Sequence, residues 1–337
     1  MEILRDYDLT SLNTFGISAR ARFFAEVASE EDFKELFSST EFKENEKLIL
    51  GGGSNVLFTK DFDGIVILNK LKGIEIIEDG SESVLIKSMA GEKWHDLVIF
   101  TVERGLWGIE NLSLIPGTAG ASPIQNIGAY GSEFKDTLEN IEAIDVKTGE
   151  KKIFTKEECE FGYRDSIFKN KLKGKYFIVS VTLKLSKVQK LNADYKALDS
   201  YLKENNIEIK SSKDVSDAVS KIRMSKLPDP KVLGNAGSFF KNVYVTKEKA
   251  QSLLDQYPDM PLFKECELIK IPAGWLVEQC GWKGQKVGNV GVHDKQALVL
   301  VNHGGARGSE VLDLADKIIE SVYEKFELKL TPEVNLV

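Results

Sequence analysis

Residues 115–131 carry four glycines and two prolines among small side chains, too many interruptions for a long helix or a central strand. A stretch of this kind has to be loop, and its order has to come from what it lies against. Two further glycine-dense stretches accompany it, Gly51-Gly52-Gly53-Ser54-Asn55 and Gly234-Asn235-Ala236-Gly237-Ser238. Such loops let bare backbone N–H groups approach a phosphate or a flat ring. Any one of them alone also reads as a tight turn in a β-rich protein.

Around these loops, strand and helix patterns alternate without a fixed-period repeat or a low-complexity tract. Ser29-Glu30-Glu31-Asp32 has capping-box spacing and opens a helix carrying Phe33, Leu36 and Phe37. Leu48-Ile49-Leu50 and Ile65 to Leu68 read as strands, as do 74–78, 84–89 and 141–146. Phe177, Val179, Val181, Leu183 and Leu185 alternate along a longer strand. Trp94 to Arg104 predicts a helix that Gly105 terminates. Two more helices are expected near 195–204 and 213–225, the second stopped by Pro228-Asp229-Pro230. The last third offers a strand at 297–302, a helix capped by Ser309, a short strand from Phe326 to Leu330, and an apolar tail, 331–337, expected to pack back.

The chain is 337 residues long, 42% hydrophobic, with 45 basic against 52 acidic side chains and a formal charge of −7. That supports two or three globular domains and argues against nucleic acid or an anionic membrane as the main partner. No apolar run approaches the ~18 residues needed to span a bilayer, and the first ten residues are too charged for a secretory signal, so a cytoplasmic location is expected. Cys159, Cys266 and Cys280 form no paired motif, which predicts reduced thiols and no zinc ribbon. Other chemistries lack their signatures. Val56 stands where a dinucleotide fingerprint needs its third glycine, and there is no Walker loop, H-E-x-x-H or G-x-S-x-G; His95, His293 and His303 show no triad or metal spacing. No metal is expected.

The residues themselves carry a resemblance. Asn13-Thr14-Phe15-Gly16, Gly51 to Leu57, all of 115–131 and Tyr163-Arg164-Asp165-Ser166 resemble motifs of the UDP-N-acetylenolpyruvoylglucosamine reductases. Lys226 to Pro230, Gly234 to Asn242, Ala273 to Leu276 and Pro332-Glu333-Val334 continue the match in the family's order. Nearly the whole chain is covered, and Tyr195 matches the added tyrosine loop of the family's longer form.

The resemblance implies an α+β fold. A vanillyl-alcohol-oxidase-type (PCMH-type) FAD-binding region of two subdomains, 1–68 and 69–209, would precede a C-terminal α+β substrate-binding domain, 210–330, and a tail, 331–337, returning to the active site. It implies noncovalent FAD, NADPH as reductant and the UDP-sugar enolpyruvyl ether as substrate, reduced to UDP-N-acetylmuramate. The flavin contacts implied are Gly52, Gly53, Ser54, Asn55 and Val56, then Pro116, Gly117, Gly120, Ala121, Pro123, Gln125, Asn126, Gly128, Ala129 and Tyr130. Arg164, Ser238 and Glu333 match the catalytic positions: Arg164 for the substrate carboxylate, Ser238 as proton donor, and Glu333, protonated or paired with Arg164, to help polarise that carboxylate. Tyr195 and Lys226 match diphosphate contacts, Asn242 and Gln296 nucleotide-sugar contacts, with Arg223 and Lys231 adding positive charge nearby. Asn335 departs from the pattern, standing where many relatives carry arginine. An oxygen-using oxidase of the same flavin fold and a non-catalytic nucleotide-sugar sensor are the competing readings.

Overall fold

The computed structural model describes residues 1–192, 195–265 and 267–337. Cys266 lies outside the described residues; Cys159 and Cys280 are free thiols. The chain packs as two units, one of residues 1–7, 21–53 and 62–225, the other of 8–20, 54–61 and 226–337.

In the first unit, a four-stranded sheet runs in the order Ile3–Asp8, Arg20–Val27, Phe62–Asn69, Lys47–Leu50, with the last three parallel. Parallel strands need a crossover, and helices Glu30–Ser38 and Thr40–Glu44 supply the one from Arg20–Val27 to Lys47–Leu50, which lie on either side of Phe62–Asn69. The capping box forms as expected: Asp32 N donates to Ser29 Oγ at 3.0 Å, and Ser29 N donates to Asp32 Oδ2 at 2.9 Å. Phe33, Leu36 and Phe42 are thereby buried against Phe23, Val27, Ile65 and Ile67.

The second sheet is antiparallel, in the order Lys151–Thr155, Leu138–Asp145, Tyr176–Ser186, Ser83–Met89, Ile74–Asp79. Its central strand is buried on both faces, which the simple alternation did not predict. The register steps from Glu142 opposite Ser180 to Ala143 opposite Ile178, so Val179 is an extra residue. A bulge of one residue exchanges the faces. Phe177 and Val179 consequently join the core under the parallel sheet, while Val181, Leu183 and Leu185 join the core around Trp94, Leu97 and Val98. The helix bearing those three runs Trp94–Val102, and Gly105, at φ +69°, ends the turn that follows.

A third cluster sets Trp107 against helices Lys196–Glu204 and Ser212–Lys226 through Leu198, Leu202, Val215, Val219 and Ile222. The division by packing therefore falls between Ser225 and Lys226, and the expected edges at 68/69 and 209/210 lie inside this unit.

The second unit has an antiparallel sheet ordered Gly234–Ser238, Val299–Asn302, Val290–Val292, Lys286–Val287. Helix Gly308–Phe326 packs on its two middle strands, burying Val311, Leu314, Ala315, Ile318, Val322 and Phe326. This helix begins earlier than expected, with Arg307 rather than Ser309 at the cap; Glu310 Oε2 accepts the Arg307 N–H at 2.8 Å. Gly308 turns helical where only glycine fits, since a Cβ there would lie 1.7 Å from Phe58 O. The strand expected from Phe326 to Leu330 is absent. Glu327, at φ +54°, caps the helix, and Leu328 and Leu330 alternate because both are buried by packing, without a ladder partner. A second, three-stranded sheet runs Val243–Val245, Leu268–Ile271, Phe263–Glu265, flanked by helices Lys247–Gln256 and Ala273–Gln279.

The tail does return. Lys241 N donates to Thr331 O, Glu333 N to Phe239 O at 2.7 Å, and Asn335–Leu336 pairs in parallel with Val56–Leu57.

Candidate active site

In the first unit, the two earlier glycine loops meet backbone to backbone. A Cβ on Gly52 would sit 2.9 Å from Gly117 Cα, and one on Gly51 only 2.4 Å from Thr118 Oγ1. Gly120 is pressed as closely on Ala90, anchored by its N–H to Ala90 O. Gly53 and Gly117 take positive φ, +59° and +112°, a region glycine enters without steric penalty. Gly52 is exposed, and its N–H donates to none of the described residues. This is a cradle with no room for side chains and a main-chain donor available, the construction an anionic pyrophosphate or a flat ring requires; FAD fits it.

Downstream, Ala119–Ile124 forms a 3-10 turn with Pro123 inside it, and Asn126 is fully buried. The Asn126 amide is spent on the protein: Nδ2 donates to Glu133 Oε2 and Gly162 O, both at 3.1 Å, and Oδ1 accepts from Lys135 N. Its work is to tie this loop to the segment bearing Arg164. Arg164 itself sits at φ +51°, its Nη2 donating to Gly128 O at 2.5 Å; a Cβ on Gly128 would meet Nη1 at 2.8 Å. Tyr130, at φ +49°, and Tyr195 lie edge to face, ring centroids 5.4 Å apart. Desolvation raises the Tyr130 phenol above its usual value, against the opposing pull of Arg223.

Two residues that carried no assigned role in the sequence, His95 and Glu110, gather here with Arg223, which was expected only as added positive charge. Arg223, part-buried, donates through Nε to Leu114 O, and desolvation lowers its ordinarily very high pKa, with the Arg164 charge adding to the effect. His95 Nδ1 accepts the Leu114 N–H at 3.0 Å, and burial holds the imidazole below its usual value, so it stays neutral. Glu110 is buried, accepts the Gly108 N–H at 2.6 Å, and is pushed upward by desolvation. Sequence spacing gave no sign of them, because each works through backbone contacts set by the fold.

In the second unit, Ser238 ends its strand opposite Val299, directly after Gly237 at φ +70°. Asn235 fixes that turn: its Oδ1 accepts the Gly237 N–H, and its Nδ2 donates to Leu233 O and Pro228 O. Gly234 passes so close to Phe15 O, 2.2 Å from a notional Cβ, that only glycine serves. Glu333 is buried, its backbone paired to Phe239, the residue after Ser238. Ser238 and Glu333 are thus neighbours across a backbone pairing. Asn242 Oδ1 accepts from Ala273 N, at the start of helix Ala273–Gln279, and Gln296 Oε1 lies 3.4 Å from a notional Gly274 Cβ, so these two also converge. Lys226 and Lys231 are exposed. Asn335, in the place of the expected arginine, donates both its backbone N–H and its Nδ2 to Asn55 O. Ser54, Asn55 and Val56 fall in this unit, Gly52 and Gly53 in the other.

Among the described residues no three His, Cys, Asp or Glu side chains are placed to hold a metal, and no helix is long and apolar enough to cross a membrane.

Comparison with known proteins agrees with this construction. Residues 21–154 match the family model described as "FAD binding domain", and 229–337 match "UDP-N-acetylenolpyruvoylglucosamine reductase, C-terminal domain". Relatives bearing that reductase's name from Flavobacterium johnsoniae and Amoebophilus asiaticus are each 48% identical, covering 100% of both chains. The solved UDP-N-acetylenolpyruvylglucosamine reductase of Thermus caldophilus superposes with TM-score 0.67 over 99% of this chain and 98% of its own, at 23% identity, a likeness of fold. A solvent-stable cholesterol oxidase shares the fold more distantly, TM-score 0.53 at 12% identity, over 98% of this chain and 86% of its own. Fold and site together define a FAD-binding oxidoreductase with a PCMH-type flavin region. The chain belongs to the UDP-N-acetylenolpyruvoylglucosamine reductase family.

Proposed function

We propose that the chain reduces the enolpyruvyl ether of UDP-N-acetyl-3-O-(1-carboxyvinyl)glucosamine to UDP-N-acetylmuramate with NADPH, in the cytoplasm, as a step of peptidoglycan precursor synthesis. The observation that carries this reading is the 48% identity to reductases of that name over the full length of both chains.

FAD, when bound, supplies the carrier that accepts hydride from NADPH and delivers it to the substrate's terminal vinyl carbon. The chain's residues handle the charge and the proton. Addition of hydride leaves negative charge on the carbon beside the carboxylate. Arg164 suits that carboxylate, because a planar guanidinium binds it in two parallel hydrogen bonds and offsets the growing charge. The Ser238 hydroxyl gives the proton to that carbon. A hydroxyl is a weak acid, but the carbanion it faces is a far stronger base. Glu333 polarises the carboxylate from its place beside the Ser238 strand. Tyr195 and Lys226 bind the diphosphate, and Asn242 and Gln296 the rest of the nucleotide sugar; Tyr195 makes this the longer, tyrosine-loop form.

Stopped-flow absorbance of the flavin tests the assignment. In Ser238→Ala, reduction by NADPH keeps its rate while reoxidation by the UDP-sugar slows by about 10²-fold or more. Equal loss in both halves refutes the role of Ser238. Absence of substrate-dependent NADPH consumption in the unmutated protein would leave the nucleotide-sugar sensor, and rapid reoxidation by oxygen alone the oxidase.

A further inference from the structure

Asn111 is buried, and its Oδ1 has no partner among the described residues. An unsatisfied buried acceptor is costly, and an apolar side chain of similar size would avoid the cost. What asparagine offers here is two donors on one nitrogen. Asn111 Nδ2 donates to Tyr130 O at 2.7 Å and to Asn192 O at 2.8 Å. The amide cannot be turned over, because Oδ1 would then face two carbonyl oxygens.

Both carbonyls belong to segments that need holding. Tyr130 sits at φ +49°, in the left-handed region that a tyrosine does not choose unaided. Asn192 answers from the other side, its Nδ2 donating to Gly131 O at 3.0 Å and Ser132 Oγ at 3.2 Å. Gly131, at φ +84°, leaves space for it: a Cβ would come 3.3 Å from the Asn192 amide. Tyr195 follows three residues after Asn192, and its ring lies edge-on to Tyr130. Four hydrogen bonds among Asn111, Asn192 and the 130–132 turn therefore fasten Tyr130, on which the Tyr195 ring packs, to the segment ending at Asn192.

We propose that Asn111 is a positioning residue for the sugar-nucleotide reaction: its side-chain amide locks Tyr130 to Asn192 and so holds Tyr195 in place for the substrate diphosphate. The effect on substrate rests on the reading of Tyr195 as a diphosphate contact; the lock itself does not.

The experiment is run on the flavin-loaded protein with Asn111→Ala and the isosteric Asn111→Asp, which removes both donors with little change in volume. Amide hydrogen exchange reads the lock directly. Faster exchange concentrated in 187–192 and 195–196, and in 129–132, is expected in both variants, with the Trp94–Val102 helix unchanged; unaltered exchange in those segments overturns the proposal. Steady-state kinetics read the consequence. KM for the UDP-sugar rises about tenfold while the rate of flavin reduction by NADPH is unchanged. In a Tyr195→Ala background, Asn111→Ala adds less than about twofold to KM, because it acts through the ring already removed. Full additivity overturns the positioning role. If Tyr195→Ala alone leaves KM unchanged, the diphosphate role of Tyr195 fails, and the exchange result still decides the lock.

Discussion

Gly52→Ala isolates the close approach of the two glycine loops from every other property of glycine. Gly52 is not among the positive-φ residues, so an alanine meets no backbone strain, and the whole effect comes from where its methyl goes. That methyl would sit 2.9 Å from Gly117 Cα, 3.4 Å from its C and 3.5 Å from its N. Ordinary contact begins at 3.4 Å, so the loops must part by 3.4 − 2.9 = 0.5 Å, with backbone on both sides and no flexible side chain to yield. Overpacking of this kind costs about 1–3 kcal/mol. If bound flavin needs the loops at this spacing, the cost falls on its binding. At about 1.4 kcal/mol per tenfold, FAD affinity drops roughly 5- to 150-fold. The assay is flavin fluorescence on serial dilution of the purified holoprotein, which reports the dissociation constant as free flavin appears. Gly105→Ala is the control: nothing lies within 4 Å of its notional Cβ and its φ is +69°, so it loses stability through backbone strain and keeps its flavin. An unchanged dissociation constant in Gly52→Ala, with stability also unchanged, would falsify the cradle.

Glu110 predicts a pH-dependent gain. Its carboxyl is raised above the usual 4.5 by desolvation, so the native state holds a proton that the unfolded chain has released; this contribution is full below about 4.5 and is lost as pH rises through the native value. Glu110→Gln therefore raises the unfolding temperature at pH 7–8 and makes little difference near pH 4, in paired thermal melts; no gain at neutral pH contradicts the assignment. Cys159, its thiol pushed up to about 12 by burial and then by Glu158 and Glu157, resists alkylation at pH 8 until the protein unfolds, as mass spectrometry of labelled protein will show. Asn335→Ala removes the side-chain bond to Asn55 O while leaving the backbone one, lowering stability by about 1 kcal/mol in chemical denaturation.

Much of this architecture could be read directly from the residues. The capping box at Ser29, the stop at Gly105 and the return of the tail all follow from local chemistry or from apolar content, and the structure has them where expected. What escaped was whatever depends on contacts distant in sequence. The bulge at Val179 is invisible to an alternating pattern, yet it decides which core each half of that strand enters. Leu328 and Leu330 alternate like a strand because burial alone produces the same pattern. Ser309 is a good capping residue, displaced because Gly308 has to slip past Phe58. The glycine loops announced a cradle and Arg223 a positive charge, but His95, Glu110 and Asn111 did not announce themselves. A buried arginine or asparagine has the same letter as a solvated one, and only the fold reveals the carbonyl it serves.

The interlaced second unit bears on how the chain is born. Asn55 and Asn335, which pair along the returning tail, are 280 residues apart. At ordinary rates of translation, about 5–20 residues per second, the first waits on the order of tens of seconds for the second. Throughout that interval Val56, Leu57 and Phe58, all buried at maturity, wait for the tail on a growing polypeptide whose other unit has its whole sequence once Ser225 is made, well before Asn335. This makes the 54–61 segment the natural place for a holding chaperone to grip the nascent chain.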